Sequence, residues 1–259
     1  MTLTSTCAHR PSRQRRAGLT RAHAADEFAL TTVLLFFVVT VVRWLRDPGS
    51  ILYIPALGVA FAVIGVLSGS IVTGLMFTPP GRRSGAHMNP AVTIALWRMD
   101  VFPGPRVAPY VVAQLAGSVA GTGLARVLWG RAVSLPPVEY AAIRSSATWQ
   151  PASVFLAEAG CMVILVLIVG FLLAHPGYAR LLPYGIGLSV GLVIAILGPR
   201  SGGSINPARQ FGPAVLAGQT ADLLIYLVAP ILGALLGVSI HHRLVRRPST
   251  RGVTPCERK

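Results

Sequence analysis

Apolar residues along this chain fall into six long runs, at 28–42, 52–77, 107–128, 152–173, 183–197 and 223–240, with short polar or basic stretches between them. Runs of this kind predict helices that cross the roughly 30 Å of bilayer hydrocarbon. Two further apolar runs, 91–97 and 208–217, are too short to cross, and Gly212 and Pro213 interrupt the second. Each short run follows a glycine-containing loop, as a re-entrant half-helix does. The pattern predicts an all-α membrane protein with six transmembrane helices and two half-helices.

Both half-helices open on the same tripeptide. The first lies in Gly85-Ala86-His87-Met88-Asn89-Pro90-Ala91-Val92-Thr93, the second in Gly202-Gly203-Ser204-Ile205-Asn206-Pro207-Ala208-Arg209. Asn is a preferred N-cap, and Pro suits the first helical position, where its missing N–H costs nothing. A helix start presents unpaired N–H groups and about half a positive charge. Two such ends meeting at mid-membrane would form a polar, cation-hostile point in an apolar chain.

The order of elements repeats. Residues 26–128 hold three spans and a half-helix, 129–150 form a polar connection, and 151–242 hold three more spans and the second half-helix. Each half carries a glutamate near its start, Glu27 and Glu158, and places Asn-Pro-Ala between its second and third spans. Three spans per half insert the second half upside down relative to the first, so that the half-helices enter from opposite faces. Small residues stud the second and third spans, among them Gly65, Gly69, Gly117 and Gly121. They allow close helix approach in a bundle.

Composition supports this reading: 53% of residues are hydrophobic and 12% charged, with a mean hydropathy of +0.63. The net charge of +15 would suit a nucleic-acid partner. However, the arginines sit mostly in tails and inter-span loops, as the positive-inside rule predicts, so no nucleic-acid partner is expected. Residues 1–25 are Arg-rich without an apolar core, and 243–259 are basic. Both are expected to be cytoplasmic tails, the first disordered. Cys7, Cys161 and Cys256 lie too far apart in the chain to form a disulfide framework. His87 has no Cys or second His beside it, so neither a metal nor another cofactor is expected.

The paired stretches His87-x-Asn89-Pro90-Ala91-Val92-Thr93 and Gly203-Ser204-x-Asn206-Pro207-Ala208-Arg209-x-Phe211-Gly212-Pro213 resemble those of the major intrinsic protein (aquaporin and aquaglyceroporin) family. The likeness covers residues 26 to 244 and suits a bacterial member with features of plant nodulin-like channels. It implies a passive channel in the cell membrane, both termini cytoplasmic, assembled as a homotetramer among membrane lipids. In such a channel the amides of Asn89 and Asn206 donate to a permeating molecule. The carbonyls of Gly85, Ala86, His87 and Met88, and of Gly202, Gly203 and Ser204, form a ladder of acceptors. Glu27 and Glu158 are structural struts of the pore loops.

The resemblance also implies a selectivity constriction with Arg209 as its cationic member and Gly203 as its loop member. Counting back from Asn206 gives Ile194 for the fifth span. The five-residue insertion Pro79-Pro80-Gly81-Arg82-Arg83 blurs the second span, where the small-residue pattern suggests Val63. This set has neither the histidine nor the aromatic of a strict water channel. It implies passage of glycerol, urea or metalloid hydroxides along with water. Gln210 and Ala214 depart from the glycerol-facilitator pattern, which has Asp and a basic residue there. A water-selective pore is the alternative. A proton-coupled transporter would need a carboxylate near the midplane, whereas Glu27 and Glu158 lie near span ends. An intramembrane enzyme would need a nucleophile–base pair or a metal cluster at membrane depth, and the spans contain no His and only Cys161 as a thiol.

Overall fold

In the computed structural model, residues 13–245 are described, with side chains from residue 18 onward. The basic segments 1–12 and 246–259, with Cys7 and Cys256, lie outside the described residues. The helices are α1 (Arg13–Arg46), α2 (Leu57–Phe77), α3 (Pro79–Ser84), α4 (Pro90–Arg98), α5 (Val107–Trp129), α6 (Pro151–Ala174), α7 (Leu182–Leu197), α8 (Pro207–Ala217) and α9 (Leu223–Val245). Six segments are long and apolar enough to cross a membrane: Gly18–Arg46, Leu57–Phe77, Gly104–Val133, Pro151–Ala174, Pro176–Leu197 and Leu223–Val245. At 1.5 Å per residue, the 9 residues of α4 and the 11 of α8 reach only about half-way.

The packing follows a pseudo-two-fold relation. In the first half α1 lies along α5, and in the second α6 lies along α9, while α2 and α7 pair with each other. The half-helices cross over: α8 packs on α5, and α4 packs on α9. Ala91, Val92 and Ala95 of α4 thus share one core with Met162, Leu165 and Val166 of α6 and with Ala234 and Val238 of α9.

Glycines set the closest helix approaches. A Cβ on Gly65 would run into the carbonyl of Gly191, and one on Gly69 into that of Gly187. In α5, Gly117 and Gly121 press on the carbonyls of Phe28 and Thr32, and in α9 Gly233 presses on Ala159. With lipid outside, there is no hydrophobic drive between spans, and this close backbone packing is what holds them together.

Three local expectations change. Residues 13–25, expected within a disordered tail, are the first turns of α1, because no proline separates them from the apolar run. The Pro-rich insertion is itself a helix, α3: Thr78 Oγ1 accepts from Gly81 N at 3.2 Å, proline fills the first position, and Gly85 closes it with φ +93°. The second half-helix runs unbroken through Gly212-Pro213. Pro213 withholds only the N–H that would reach Arg209, and Gly212 gives room for Ser118 of α5 to lie against that turn.

Candidate functional site: a pore between two helix starts

The two Asn-Pro-Ala loops share one conformation. Gly85, Ala86 and Met88 have φ of +93°, +48° and +47°, and Gly202, Gly203 and Ile205 have +93°, +61° and +42°. Left-handed φ is unfavourable for Ala and Met and more so for β-branched Ile, so surrounding bonds must impose it. Two buried glutamates do this. The Glu27 carboxylate accepts from Ser84 Oγ (2.7 Å), His87 N (3.0 Å), Met88 N (2.8 Å) and Gln114 Nε2 (2.7 Å). The Glu158 carboxylate accepts from Ser201 Oγ (2.9 Å), Ser204 N (3.1 Å) and Ile205 N (2.6 Å). Tyr110 and Tyr226 complete the correspondence, donating to the carbonyls of Ser84 (2.9 Å) and Ser201 (2.6 Å).

Each asparagine caps its own helix and reaches the other loop. Asn89 Oδ1 accepts from Ala91 N at 2.9 Å, and Asn206 Oδ1 from Ala208 N at 2.9 Å. Asn89 Nδ2 donates to Ile205 O at 3.0 Å, and Asn206 Nδ2 to Met88 O at 2.8 Å. An amide nitrogen has two hydrogens, so each asparagine keeps one for the cavity that both border. The carbonyl of Met88, expected in the acceptor ladder, is therefore engaged by Asn206. Pro90, Ala91, Pro207 and Ala208 are buried behind the asparagines as the first turns of α4 and α8.

A continuous cavity of 390 Å³ runs from Arg82 and Arg83, past both loops, to Arg209. Gly85, Ala86, His87, Met88, Gly202, Gly203 and Ser204 all border it, as does Ile194. Beyond it lies a second cavity of 170 Å³, and the two share Val42, Phe61, Ile64, Gly202 and Arg209. These five mark the passage between them. Val63 is not among the lining residues; it packs against Leu45, Ile64 and Ile194. The residue at the passage is Ile64, one position on and about 100° around the helix. Phe61, one turn earlier, brings an aromatic to the same passage, where none was expected.

Arg209 Nη1 donates to Ala141 O at 2.7 Å. That carbonyl belongs to three successive left-handed residues, Glu139, Tyr140 and Ala141, with φ of +41°, +60° and +59°. Gln210 clamps the same loop, its Oε1 accepting from Ile143 N (2.9 Å) and its Nε2 donating to Ile143 O (3.0 Å). Sequence reasoning noted Gln210 only as a departure from a pattern. Its place four residues after Asn206, matching Thr93 after Asn89, was the available signal. His87 is held by packing: Nδ1 lies 3.1 Å from Thr93 Oγ1, with the rings of Phe102 and Tyr110 against it at 4.8 and 5.2 Å. Among the described residues no group of three or more His, Cys, Asp or Glu could hold a metal ion.

Six spans in two inverted repeats, with two half-helices meeting end to end beside a through-going cavity, define a channel-type membrane protein. Residues 14–241 match the profile of the family described as Major intrinsic protein. The chain is 32% identical to the propanediol uptake facilitator PduF of Citrobacter freundii over 262 residues, 87% of this chain and 92% of that one. It is 34% identical to the probable aquaporin AqpM of Archaeoglobus fulgidus over 199 residues, 74% of this chain and 76% of that one. The crystal structure of the aquaglyceroporin from Plasmodium falciparum has the same fold, with a TM-score of 0.72 at 21% identity over 88% of this chain and 97% of that one. The chain belongs to the major intrinsic protein family. It is a multi-pass membrane protein and a passive channel for water or small solutes, not an enzyme.

Proposed function

We propose that this channel passes small uncharged hydroxylated or amide solutes (glycerol, urea or metalloid hydroxides) together with water, and excludes ions and protons. The observation that carries this reading is the cavity wall beside Arg209, where Val42, Ile64 and Ile194 are aliphatic, Gly203 adds no side chain and Phe61 is the one aromatic. An aliphatic wall with one cation suits a molecule that keeps an alkyl or neutral face on one side and polar groups on the other. The free amide hydrogens of Asn89 and Asn206 donate to it, and the carbonyls of Gly85, Ala86, His87, Gly202, Gly203 and Ser204 accept. Exchange of water hydrogen bonds for these keeps the barrier low. The helix starts at Asn89 and Asn206, with Arg209, set a positive potential against cations and protons.

Glu27 and Glu158 serve as struts in this reading, since loop N–H and hydroxyl donors occupy both carboxylates. That leaves no carboxylate for proton coupling. Phe61 at this passage favours the narrower, water-selective alternative. The family resemblance and the arginine distribution support a homotetramer in the cell membrane with cytoplasmic termini.

Stopped-flow light scattering on proteoliposomes tests the proposal. Water and at least one of glycerol, urea and boric acid are expected to enter well above the rate in empty liposomes, with Arg209→Ala admitting larger solutes or protons. Fast water without solute entry would establish the water-selective alternative. Flux that required an ion gradient would overturn the channel mechanism.

A further inference from the structure

Every side chain that the six spanning helices place on the wall of the 390 Å³ cavity is apolar, with one exception, Ser68. It sits on α2 one turn from Ile64, on the side away from the second cavity, and one turn before Val72. All other polar groups bordering the cavity come from the two loops, from α3 or from Arg209 at the start of α8.

Ser68 is 2% exposed, and its Oγ has no hydrogen-bond partner in the protein. The other serine and threonine hydroxyls of α2 and α7 all turn back onto their own helix. Ser70 Oγ donates to Val66 O at 2.8 Å, Thr73 Oγ1 to Gly69 O at 3.0 Å, and Ser189 Oγ to Gly185 O at 2.7 Å. That back-bond is the ordinary way for a helical hydroxyl to satisfy itself. Ser68 forgoes it. A buried polar group in a medium of low dielectric normally finds a partner. Ser68 borders the cavity, and what moves through the cavity is the polar matter on that side of it.

We propose that the Ser68 hydroxyl is a hydrogen-bonding station for the permeating solute on the otherwise apolar helical wall. It makes the pore selective for solutes with hydroxyls on more than one face. Such a solute can pair with Ser68 and with the loop carbonyls at once. One with a methyl face leaves Ser68 unpaired and loses that contribution. The inference rests on the solute-channel reading and deepens it: glycerol is favoured over 1,2-propanediol, a molecule of similar size with a methyl in place of one hydroxymethyl.

The test is the ratio of glycerol to 1,2-propanediol permeability in proteoliposomes, with the rate of empty liposomes subtracted. Ser68→Thr and Ser68→Val have the same shape and differ in the hydroxyl. The threonine variant is expected to keep the wild-type ratio within about two-fold. The valine variant should lower it about three- to ten-fold, the factor that one neutral hydrogen bond contributes. Should the valine variant fail to fold, judged by water permeability and elution as the wild type, Ser68→Ala carries the same expectation. Equal ratios for the threonine and valine variants would overturn the role of Ser68 and leave the solute channel standing. A wild-type protein that passed neither glycerol nor 1,2-propanediol would overturn this inference, and one that also excluded urea and boric acid would overturn the solute-channel reading with it.

Discussion

Asn206 Nδ2 donates to the carbonyl of Met88 at 2.8 Å, across 118 positions of sequence. Asn89 returns the bond to Ile205 at 3.0 Å. Neither pore loop is therefore complete alone: each asparagine caps its own half-helix with its oxygen and fastens the opposite loop with its nitrogen. The residues that define the pore centre are also the joint between the repeats.

Glu158 enforces the left-handed backbone of Ile205, accepting from its N–H at 2.6 Å. Glu158→Gln puts an amide nitrogen where one of two carboxylate oxygens accepted from a backbone N–H. The expected loss is about 2 kcal/mol, the value of a hydrogen bond to a charged group. A lower unfolding temperature in detergent and reduced water flux would be observed. An unchanged melt would show that the loop holds its shape without the carboxylate.

Gln210 ties down the connecting loop through both backbone groups of Ile143. Gln210→Ala removes the pair and leaves a buried N–H and C=O unpaired, at about 1–3 kcal/mol. The loop includes the exposed Arg144, so trypsin added to the detergent-solubilised protein should cleave there several times faster in the variant. Equal cleavage rates would mean that the Arg209–Ala141 bond suffices.

The glycines of α2 are not equivalent. A Cβ at Gly74 meets nothing within 4 Å, whereas one at Gly69 meets the backbone of Gly187. Gly74→Ala should be neutral or stabilising by up to about 1 kcal/mol, because alanine is the better helix former. Gly69→Ala should separate α2 from α7 and reduce the yield of folded protein. Size-exclusion profiles of the two variants compare the outcomes directly.

Arg83 pairs with Asp26 at 2.7 Å, but the arginine side chain is 56% exposed. Asp26→Asn should leave the unfolding temperature close to that of the wild type, as for most surface ion pairs. A thermal melt at low and high salt checks this, and a large shift at low salt would assign the pair a larger structural role.

The spans and the helix starts were legible because their causes are local. Run length sets a crossing, and Asn followed by Pro sets a helix start whatever surrounds it. Register across an insertion was not legible. Pro79 to Arg83 form a helix of their own, so no count could be carried through them, and the small-residue pattern used instead gave Val63 in place of Ile64, a shift that turns the side chain from cavity to helix interface. Gly212-Pro213 looked like a break because proline usually ends a helix, but Ser118 of α5 supports that turn, donating to Ala208 O and accepting from Gly212 N at 2.9 Å. Gln210 was opaque for the same reason: its partner Ile143 lies 67 residues away, in a connection with no pattern of its own.

The crossing of the half-helices also dictates when a pore can exist. A ribosome that has delivered residues 1–128 has released α4 without α9 and Asn89 without Ile205. The first repeat must wait in the bilayer, its re-entrant helix unhoused, until the last span arrives. Conduction is thus a property that the chain acquires only at the end of its own synthesis, and a protein truncated before α9 would carry both signature tripeptides and no channel.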